Sequence, residues 1–303
     1  MIELRNVRKT FENVNAVDGV SFQANKGEIF GLIGPNGAGK STIIRMIMNI
    51  LGPDDGEILF DGRRISFKDM DSIGYLPEER GLYKKVTVKD MLTYLAELKG
   101  VPSSESLPRM DRWLKKFKLT EWKDRKLEEL SKGMSQKVQF IGAVLHNPDL
   151  VFLDEPFSGL DPVSTEVLKD AIVELREAGK TILFSTHIMD QAEKLCNQIF
   201  LINKGKEVVS GRVDRIKQKY GKNAVSIEYD GDAKTIQKLP AVKKCIEYPR
   251  YLEVELHEGA SPDEFLKEAV NQVSIQRFEK AVPSLHKIFI DLTGQTEEEA
   301  ADE

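Results

Sequence analysis

GPNGAGKS, at residues 34–41, is the stretch that decides the fold of this chain. It satisfies the pattern G-x-x-x-x-G-K-[ST]. It lies between an apolar run at residues 28–33 that predicts a strand and an apolar run at residues 43–51 that predicts a helix. In this pattern the glycines let backbone N–H groups surround phosphates, Lys40 carries a charge to the β and γ phosphates, and Ser41 can ligate Mg²⁺. The stretch therefore predicts a nucleoside triphosphate site at the end of a strand.

LVFLDEP, at residues 150–156, places two carboxylates at the end of a strand that is predicted to be buried. Asp154 is expected to approach Mg²⁺, usually through water. Glu155, one residue further along, is expected to polarise a water molecule for in-line attack on the γ phosphate. A strand end that is merely polar would look the same in isolation, but the phosphate loop favours the catalytic interpretation.

Three further short motifs have both a structural and a functional interpretation. LSKGMSQ, at residues 130–136, opens a predicted helix, where Ser131 either caps the helix or helps to present the helix N-terminus to a phosphate. SGLD, at residues 158–161, is a short loop. STH, at residues 185–187, places His187 just beyond a strand end, either as a structural side chain or as one that faces a ligand.

The remaining periodicity predicts an α/β fold in two domains. Strands alternate with helices over residues 1–221, which indicates a mostly parallel sheet, and residues 84–146 are predicted to form a helical subdomain within this domain. Residues 222–294 predict a small α+β domain, in which no chemical motif is found. The acidic tail at residues 295–303 is expected to be solvated and disordered.

Composition and charge limit the functional classes. The chain has 303 residues, of which 41% are hydrophobic and 31% are charged, as expected of a globular protein with a large core. A formal net charge of −5 disfavours a nucleic-acid partner held by phosphate contacts. No run of 18 or more apolar residues occurs, so a membrane-spanning part would have to come from another polypeptide. Cys196 and Cys245 are expected to be reduced thiols, since their spacing does not suit a metal site.

GPNGAGKS, LSKGMSQ, LDEP, SGLD and STH, in this order and spacing, resemble the ATP-binding subunit of ABC transporters. The resemblance covers residues 1 to about 220. It is specific, because the LSxG element distinguishes this superfamily from other phosphate-loop ATPases. It implies an α/β fold with a phosphate-loop NTPase core of the ABC ATPase type and a helical subdomain.

The resemblance implies a subunit that hydrolyses ATP with Mg²⁺ and forms a homodimer or pseudo-dimer around two ATP molecules. It would lie in the cytoplasm, peripheral at the cytoplasmic face of the cell membrane, and drive a separate polytopic membrane permease. Export is favoured over import. No nucleic-acid partner is expected. The alternative is a soluble ABC-type ATPase that acts on nucleic acid or ribosomes. That class generally needs tandem nucleotide domains or long insertions, whereas this chain has one phosphate loop and about 90 residues between Lys40 and Leu130.

The resemblance implies functional roles for several residues. Phe11 matches the aromatic side chain that stacks on adenine, with Val17 nearby. Glu155 matches the catalytic carboxylate and His187 the histidine that contacts the γ phosphate, and Lys40 completes the implied catalytic set. The phosphate loop and the start of its helix are implied to contact the nucleotide through Gly34, Pro35, Asn36, Gly37, Ala38, Gly39, Lys40, Ser41 and Thr42.

Three residues are implied to act across a dimer interface. Ser131 and Gly133 match residues that contact ATP bound to the opposite subunit, and Asp161 matches the loop that couples the two sites. The motif here is LSKGM where LSGGQ is usual, but this departure leaves Ser131 and Gly133 in place.

SIGYLPEERGLY, at residues 72–83, contains a second departure from the family pattern. Glu78 falls where the family generally has a glutamine, on the segment that links the catalytic core to the helical subdomain. We interpret the segment as a switch rather than a charged surface turn, with the Glu78 carboxylate close to Mg²⁺ and Arg80 as one offset for its charge. The implied metal ligands are Ser41, Asp154 and Glu78.

Residues 222–294 resemble a small C-terminal domain found on one subgroup of the family, which is similar to the sodium-exporter ATPase subunits and their relatives. This likeness rests on the closing PSLHKIFIDL and on the order of the core motifs. It makes sodium a candidate for the transported substrate.

Overall fold

The computed structural model describes residues 1–12, 14–78, 81, 83–221, 223–248 and 251–294. The chain divides into two compact units, with the division between Val213 and Asp214. The sequence pattern places the division at Gly221, after the helix Val213–Tyr220 rather than at its start. The predicted acidic tail at residues 295–303 lies outside the described residues, as does Arg80.

The first unit contains most of the regular structure. Its strands are β1 (Ile2–Phe11), β2 (Val14–Ala24), β3 (Ile29–Ile33), β4 (Asp55–Phe60), β5 (Arg63–Arg64), β6 (Ile73–Leu76), β7 (Leu150–Asp154), β8 (Thr181–Thr186), β9 (Gln198–Asn203) and β10 (Lys206–Arg212). Its helices are α1 (Lys40–Ile47), α2 (Val88–Leu98), α3 (Ser103–Lys116), α4 (Lys132–Val144), α5 (Pro162–Glu177) and α6 (Met189–Leu195).

The central sheet of the first unit has the strand order β10-β9-β3-β8-β7-β6. Neighbouring strands in it are parallel except for β9 and β10, which form a hairpin, so the predicted mostly parallel sheet is confirmed. Ile33 lies beside Thr186, and Asp154 lies beside Ser185. The carboxyl ends of β3, β7 and β8 therefore meet at one edge, where ligands of open α/β sheets generally bind.

A second, antiparallel sheet is ordered β2-β1-β4-β5. Helix α1 contributes Ile43, Ile44 and Ile47 to a buried cluster that also contains residues of β1, β2, β3 and β8. This burial fixes the helix that follows the phosphate loop. The helix ends at Ile47, before the end of the apolar run at 43–51, and Asn49 beyond it takes a left-handed φ of 54°.

The edge strand β6 is a feature that the sequence pattern does not predict. Its four residues are too few to show an alternation, and Pro77 follows directly. Its parallel pairing with β7 brings Tyr75 beside Phe152 and Leu76 beside Leu153. As a result Glu78, two residues after the strand, is carried to the same sheet edge as Asp154.

Helices α2, α3 and α4 pack on one another, in the region predicted to be a helical subdomain. Trp113 of α3 and Phe117, the C-cap residue of that helix, each meet Phe140 of α4 edge to face, with ring centroids 5.7 Å apart. Gly142 of α4 has no room for a side chain, because a Cβ there would lie 2.6 Å from Leu95 Cδ1 of α2. These contacts pack the C-terminal half of α4, the helix that begins within the LSKGMSQ motif, on a helical layer.

The burial of His146 is expected to make the free energy of unfolding of the first unit depend on pH. Its Nε2 donates to the Ile73 carbonyl oxygen at 3.2 Å, while its buried Nδ1 has no partner among the described residues. Burial, with a smaller effect of the Lys99 charge, lowers the pKa of His146 to about 4 from the ordinary 6.5. Over that interval the unfolded chain binds the proton more readily, so the free energy of unfolding should fall with falling pH, by up to about 3 kcal/mol.

Denaturant unfolding at about pH 7 and about pH 5 tests this prediction. The native protein should lose more stability between the two pH values than the variant His146→Gln, which keeps a polar side chain but cannot titrate there. Equal losses in the two proteins would contradict the assignment.

The second unit is an α+β fold. Its elements are α7 (Val213–Tyr220), β11 (Ala224–Asp230), α8 (Ala233–Gln237), β12 (Val242–Glu247), β13 (Leu252–Leu256), α9 (Pro262–Ala269), β14 (Ser274–Lys280) and α10 (Leu285–Thr293). The strands form an antiparallel sheet ordered β12-β13-β11-β14, and Ile236 of α8 and Phe265 of α9 join its apolar residues in one buried cluster. Helix α8 is missed by the sequence pattern because five residues are too few to show a helical period.

Within the described ranges, no helix is both long enough and apolar enough to cross a membrane. Cys196 and Cys245 are free thiols.

Candidate functional site

The phosphate loop connects β3 to α1 at the carboxyl edge of the central sheet. Gly37 and Gly39 have φ values of 75° and 110°, in the left-handed region that favours glycine. A Cβ at Gly39 would also collide with the Ala16 carbonyl oxygen, so the loop is pressed against β2. The loop therefore needs glycine at both positions to adopt its backbone conformation, and the backbone of β2 packs against it at Gly39.

Lys40 is buried at the first position of α1. Its Nζ donates to the Gly34 carbonyl oxygen at 2.7 Å and to the Pro35 carbonyl oxygen at 3.0 Å. Burial lowers the pKa of Lys40, and the negative charges of Glu155, Asp154 and Glu78 partly offset this. Because an ammonium group has three N–H donors and two are used within the loop, one donor remains to face a ligand.

Asp154 lies at the end of β7 and is 4% exposed. Ser185, its neighbour across the parallel register, donates a hydrogen bond from Oγ to its carboxylate. Burial raises the pKa of Asp154. The bond from Ser185 lowers it, and the nearby charges of Glu78 and Glu155 raise it further. A cation beside this carboxylate would remove the electrostatic cost of keeping it ionised.

Glu155 follows Asp154 in a strained backbone conformation, with a φ of 46°. Its backbone N–H donates to the Ser185 carbonyl oxygen at 3.2 Å, which ties the turn to β8. Its carboxylate accepts from the backbone N–H of His187 at 3.0 Å and lies 2.9 Å from His187 Nδ1. An ionised carboxylate can only accept, so Nδ1 carries the proton here and Nε2 points elsewhere.

A cavity of about 550 Å³ opens between these groups. The phosphate loop, the start of β2, the segments that follow β6 and β7, and the β9–β10 turn line it together, although they are far apart in the sequence. Of the residues proposed from the sequence, it is lined by Asn36, Gly37, Gly39, Lys40, Ser41, Thr42, Glu78, Asp154 and Glu155.

Other proposed residues lie outside the lining of this cavity. Ser131 is the N-cap of α4, where its Oγ accepts from the Met134 N–H at 3.3 Å, and Gly133 follows in the first turn. Asp161 is the N-cap of α5, and its bonds from Ser164 lower its pKa. Gly34, Pro35, Ala38 and His187 are likewise absent from the lining, although the first two hold Lys40 and the last holds Glu155.

Val17 lies next to the cavity in the sequence but is not part of its lining. Its side chain is 1% exposed within a buried cluster and does not line the cavity, although the neighbouring Ala16 does, so a direct contact of Val17 with the nucleotide stays a prediction. Val14, which is 66% exposed, lines the cavity in its place, with Asn15 and Ala16. Phe11 does not line the cavity, but its ring is 45% exposed at the end of β1, with Lys9 Nζ 5.7 Å from the ring centroid. Its proposed stacking role stays a prediction.

Sequence reasoning missed several residues that complete the site. Ser185 is part of the STH motif, yet its hydroxyl can be assigned to Asp154 only through the strand register. Gln136 of α4 is 2% exposed and donates to the Pro156 carbonyl oxygen at 3.2 Å, which links the LSKGMSQ and LDEP motifs. Lys204 lines the cavity from the β9–β10 turn, and no motif signalled it.

Comparison with known proteins places this geometry in a family. A family model described as ABC transporter matches residues 17–158, and one described as ATP-binding protein DrrA1-3-like, C-terminal domain, matches residues 211–293. The uncharacterized ABC transporter ATP-binding protein YhaQ of Bacillus subtilis (strain 168) is 42% identical over 294 residues, which cover 97% of this chain and 99% of YhaQ. This chain belongs to the ABC transporter ATP-binding proteins.

Further members of the ABC transporter family show the same likeness. The linearmycin resistance ATP-binding protein LnrL of Bacillus subtilis (strain 168) is 30% identical over 308 residues, which cover 98% of this chain and 99% of LnrL. The dimeric structure of MJ0796, a bacterial ABC transporter cassette, has a TM-score of 0.65 at 25% identity. It covers 70% of this chain and 99% of that one. The predicted phosphate-loop NTPase core of the ABC type, followed by a C-terminal domain, is confirmed.

Proposed function

We propose that this chain is the ATP-hydrolysing subunit of an ABC transporter, which dimerises around two ATP molecules and drives a separate membrane-spanning permease. The observation that carries the proposal is the convergence of Lys40, Asp154 and Glu155 on one cavity at the carboxyl edge of a parallel sheet. This convergence combines a phosphate-binding loop with a candidate general base.

The binding half of the mechanism rests on the phosphate loop. The start of α1 offers unpaired backbone N–H groups and the positive end of the helix dipole to the β and γ phosphates. Lys40 adds a charge whose position is fixed by its bonds to Gly34 and Pro35. Because the loop is already held by β2 and α1, little conformational entropy would be lost when a nucleotide binds.

The residues present suit Mg²⁺. Ser41, Asp154 and Glu78 all offer oxygen atoms, which this cation prefers, and all line the cavity. Among the described residues, no group of three or more His, Cys, Asp or Glu side chains could hold a metal by itself. This agrees with a cation bound by one or two carboxylates together with substrate phosphates. When bound, it would neutralise charge on the phosphates as the terminal bond breaks.

Glu155 is the group that we assign to water activation. Its carboxylate is held by the backbone and ring of His187, and it lines the cavity beside Asp154. A general base must lie within hydrogen-bond reach of the proton that it removes, and the strained turn at Glu155 aims the side chain into the cavity. His187 keeps Nε2 available for the γ phosphate.

Dimerisation is proposed because one cavity does not contain every family motif. Ser131, Gly133 and Asp161 do not line the cavity of their own chain, so a second chain would be needed for them to act on a nucleotide. The dimeric cassette of MJ0796 supports this arrangement by likeness. The chain would then act at the cytoplasmic face of the cell membrane, where it would contact the permease.

We propose export as the direction of transport, because the similar protein LnrL is named a linearmycin resistance ATP-binding protein. Sodium as the cargo stays a sequence-based prediction. The alternative, an ATPase that acts on nucleic acid or ribosomes, has no support from the comparisons. Reconstitution in vesicles with the native membrane-spanning partner tests the function. ATP-dependent movement of a solute that Glu155→Gln abolishes would support transport, whereas ATP hydrolysis stimulated by RNA and not by the membrane protein would favour the alternative.

Glu78 gives a prediction that separates a metal contact from a catalytic one. Glu78→Gln keeps a side-chain oxygen on a stem of the same length but loses a charge, so ATPase activity should stay within about tenfold of the native value, below the loss typical of a general base. The half-saturating Mg²⁺ concentration should rise, and Glu78→Ala, which has no oxygen to offer, should lose more.

Both Glu78 variants should be titrated with Mg²⁺ beside Glu155→Gln. If Glu78→Gln and Glu155→Gln are equally inactive at saturating Mg²⁺, Glu78 is a catalytic carboxylate and its assignment as a metal-sensing residue is wrong.

A further inference from the structure

The turn between β9 and β10 is fixed against the nucleotide site by backbone contacts. Lys204 and Gly205 have φ values of 48° and 76°, as in a two-residue hairpin turn. The Gly205 N–H donates to the Ala38 carbonyl oxygen at 2.9 Å, and its carbonyl oxygen accepts from the Asp18 N–H at 2.8 Å. A Cβ at Gly205 would lie 2.8 Å from the Asn15 carbonyl oxygen. The turn is therefore held by the phosphate loop and β2 at once.

Lys204 is exposed at this turn and lines the cavity. Two lysines are found among the described lining residues, Lys40 and Lys204, against the carboxylates of Glu78, Asp154 and Glu155. Lys40 is buried and already gives two donors to the phosphate loop. Among the described residues no carboxylate pairs with Lys204, whereas Lys206 on the same hairpin pairs with Asp18 at 3.4 Å.

The sheet order shows which end of a nucleotide Lys204 can reach. Strand β9 lies directly on one side of β3, while β7 lies on the other side with β8 between them. At a strand spacing of about 4.8 Å, Lys204 and Glu155 stand on opposite sides of the phosphate loop. Since Glu155 marks the position of the γ phosphate, Lys204 faces the end of the triphosphate that is not hydrolysed.

We propose that Lys204 is a nucleotide-binding residue whose ammonium group contacts the α phosphate. The inference rests on the proposed binding of ATP in this cavity and adds a recognition element for the part that ATP and ADP share. Its charge would attract both nucleotides to the same extent, and it would not act on the bond that breaks. The substitution Lys204→Met should therefore raise the KM for ATP and leave kcat within about twofold.

Calorimetric titration with ADP in the presence of Mg²⁺ measures this contact without hydrolysis. Lys204→Met should weaken ADP binding by about tenfold, as expected for the loss of one charge-assisted contact, and the difference from the native protein should shrink with added salt. Lys204→Arg, which keeps the charge, should bind within about threefold of the native protein. The matched control is Lys206→Met, which removes the same charge from the same hairpin outside the cavity and should leave binding unchanged.

The outcomes distinguish this inference from the proposed function. If Lys204→Met binds ADP normally while Lys40→Ala does not, the role of Lys204 is wrong and the nucleotide site stands. If Lys204→Met and Lys206→Met weaken binding equally, the effect is one of general charge and the contact is refuted. If Lys204→Met lowers kcat and leaves KM unchanged, the side chain acts at the γ phosphate and the assignment to the α phosphate is overturned. Normal binding by Lys40→Ala would instead remove the site on which both proposals rest.

Discussion

Glu155→Gln is expected to bind ATP and to hydrolyse it about 10²–10⁴-fold more slowly than the native protein, the loss typical of a missing general base. Glutamine keeps the shape of the side chain and can still accept from the His187 backbone N–H, so the turn at the end of β7 should survive. What is lost is the capacity to take a proton from water. Single-turnover hydrolysis and nucleotide binding, measured on the same sample, separate the two effects.

The same variant should accumulate as an ATP-bound dimer, because the step that would release the two chains is blocked. Light scattering at saturating ATP should show twice the monomer mass. A matched control is Glu166→Gln on α5, which makes the same chemical change at a surface ion pair with Lys169 and should leave the rate unchanged. A variant that is slow yet remains monomeric at saturating ATP would contradict the proposed assembly, and one that hydrolyses ATP at the native rate would remove Glu155 from the chemistry.

Lys40→Ala is expected to lose ATP binding by about 100-fold, the size of effect seen when one partner of a buried charge contact is truncated. The variant should remain folded. Burial disfavours the charged ammonium, as the lowered pKa of Lys40 indicates, and removing it relieves that cost while the Gly34 and Pro35 carbonyl groups lose a donor. The two changes oppose each other, so little net effect on stability is expected.

Thermal unfolding and ADP titration of Lys40→Ala should be compared with Lys115→Ala. Lys115 is an exposed lysine on α3 that lies outside the cavity, so its loss changes the net charge by the same amount. Near-native ATPase activity in Lys40→Ala would show that residues 34–41 are not the nucleotide site. An unfolded variant would show that the lysine is required by the loop itself.

The features that could be predicted from sequence are those encoded locally. GPNGAGKS requires a strand before it and a helix after it, and β3 and α1 occupy those positions. The apolar run that ends in Asp154 predicts a buried strand, and every residue of β7 is buried. Because such motifs carry their own strand or helix context, both the α/β fold and the membership of the ABC family followed from short stretches.

The features that could not be predicted depend on which strands become neighbours. Val17 sits in β2 within a pattern that fits either face, and the packing of α1 decides that it is buried. Ser185 meets Asp154 because β7 and β8 are adjacent and in register. Lys204 reaches the cavity because β9 lies beside β3. Strand order is set by contacts between distant parts of the chain, which a local pattern does not contain.

The hydrogen bond from Gln136 to the Pro156 carbonyl oxygen joins the helix that begins after Ser131 to the turn that holds Glu155. If two chains assemble as proposed, Ser131 contacts the nucleotide of the partner, while Glu155 activates the water that attacks the nucleotide of its own chain. A buried bond between these segments then makes the two binding events thermodynamically dependent, and such dependence is reciprocal. The saturation curve for ATP would be sigmoidal rather than hyperbolic. The protein would thus respond to the cellular ATP level as a threshold.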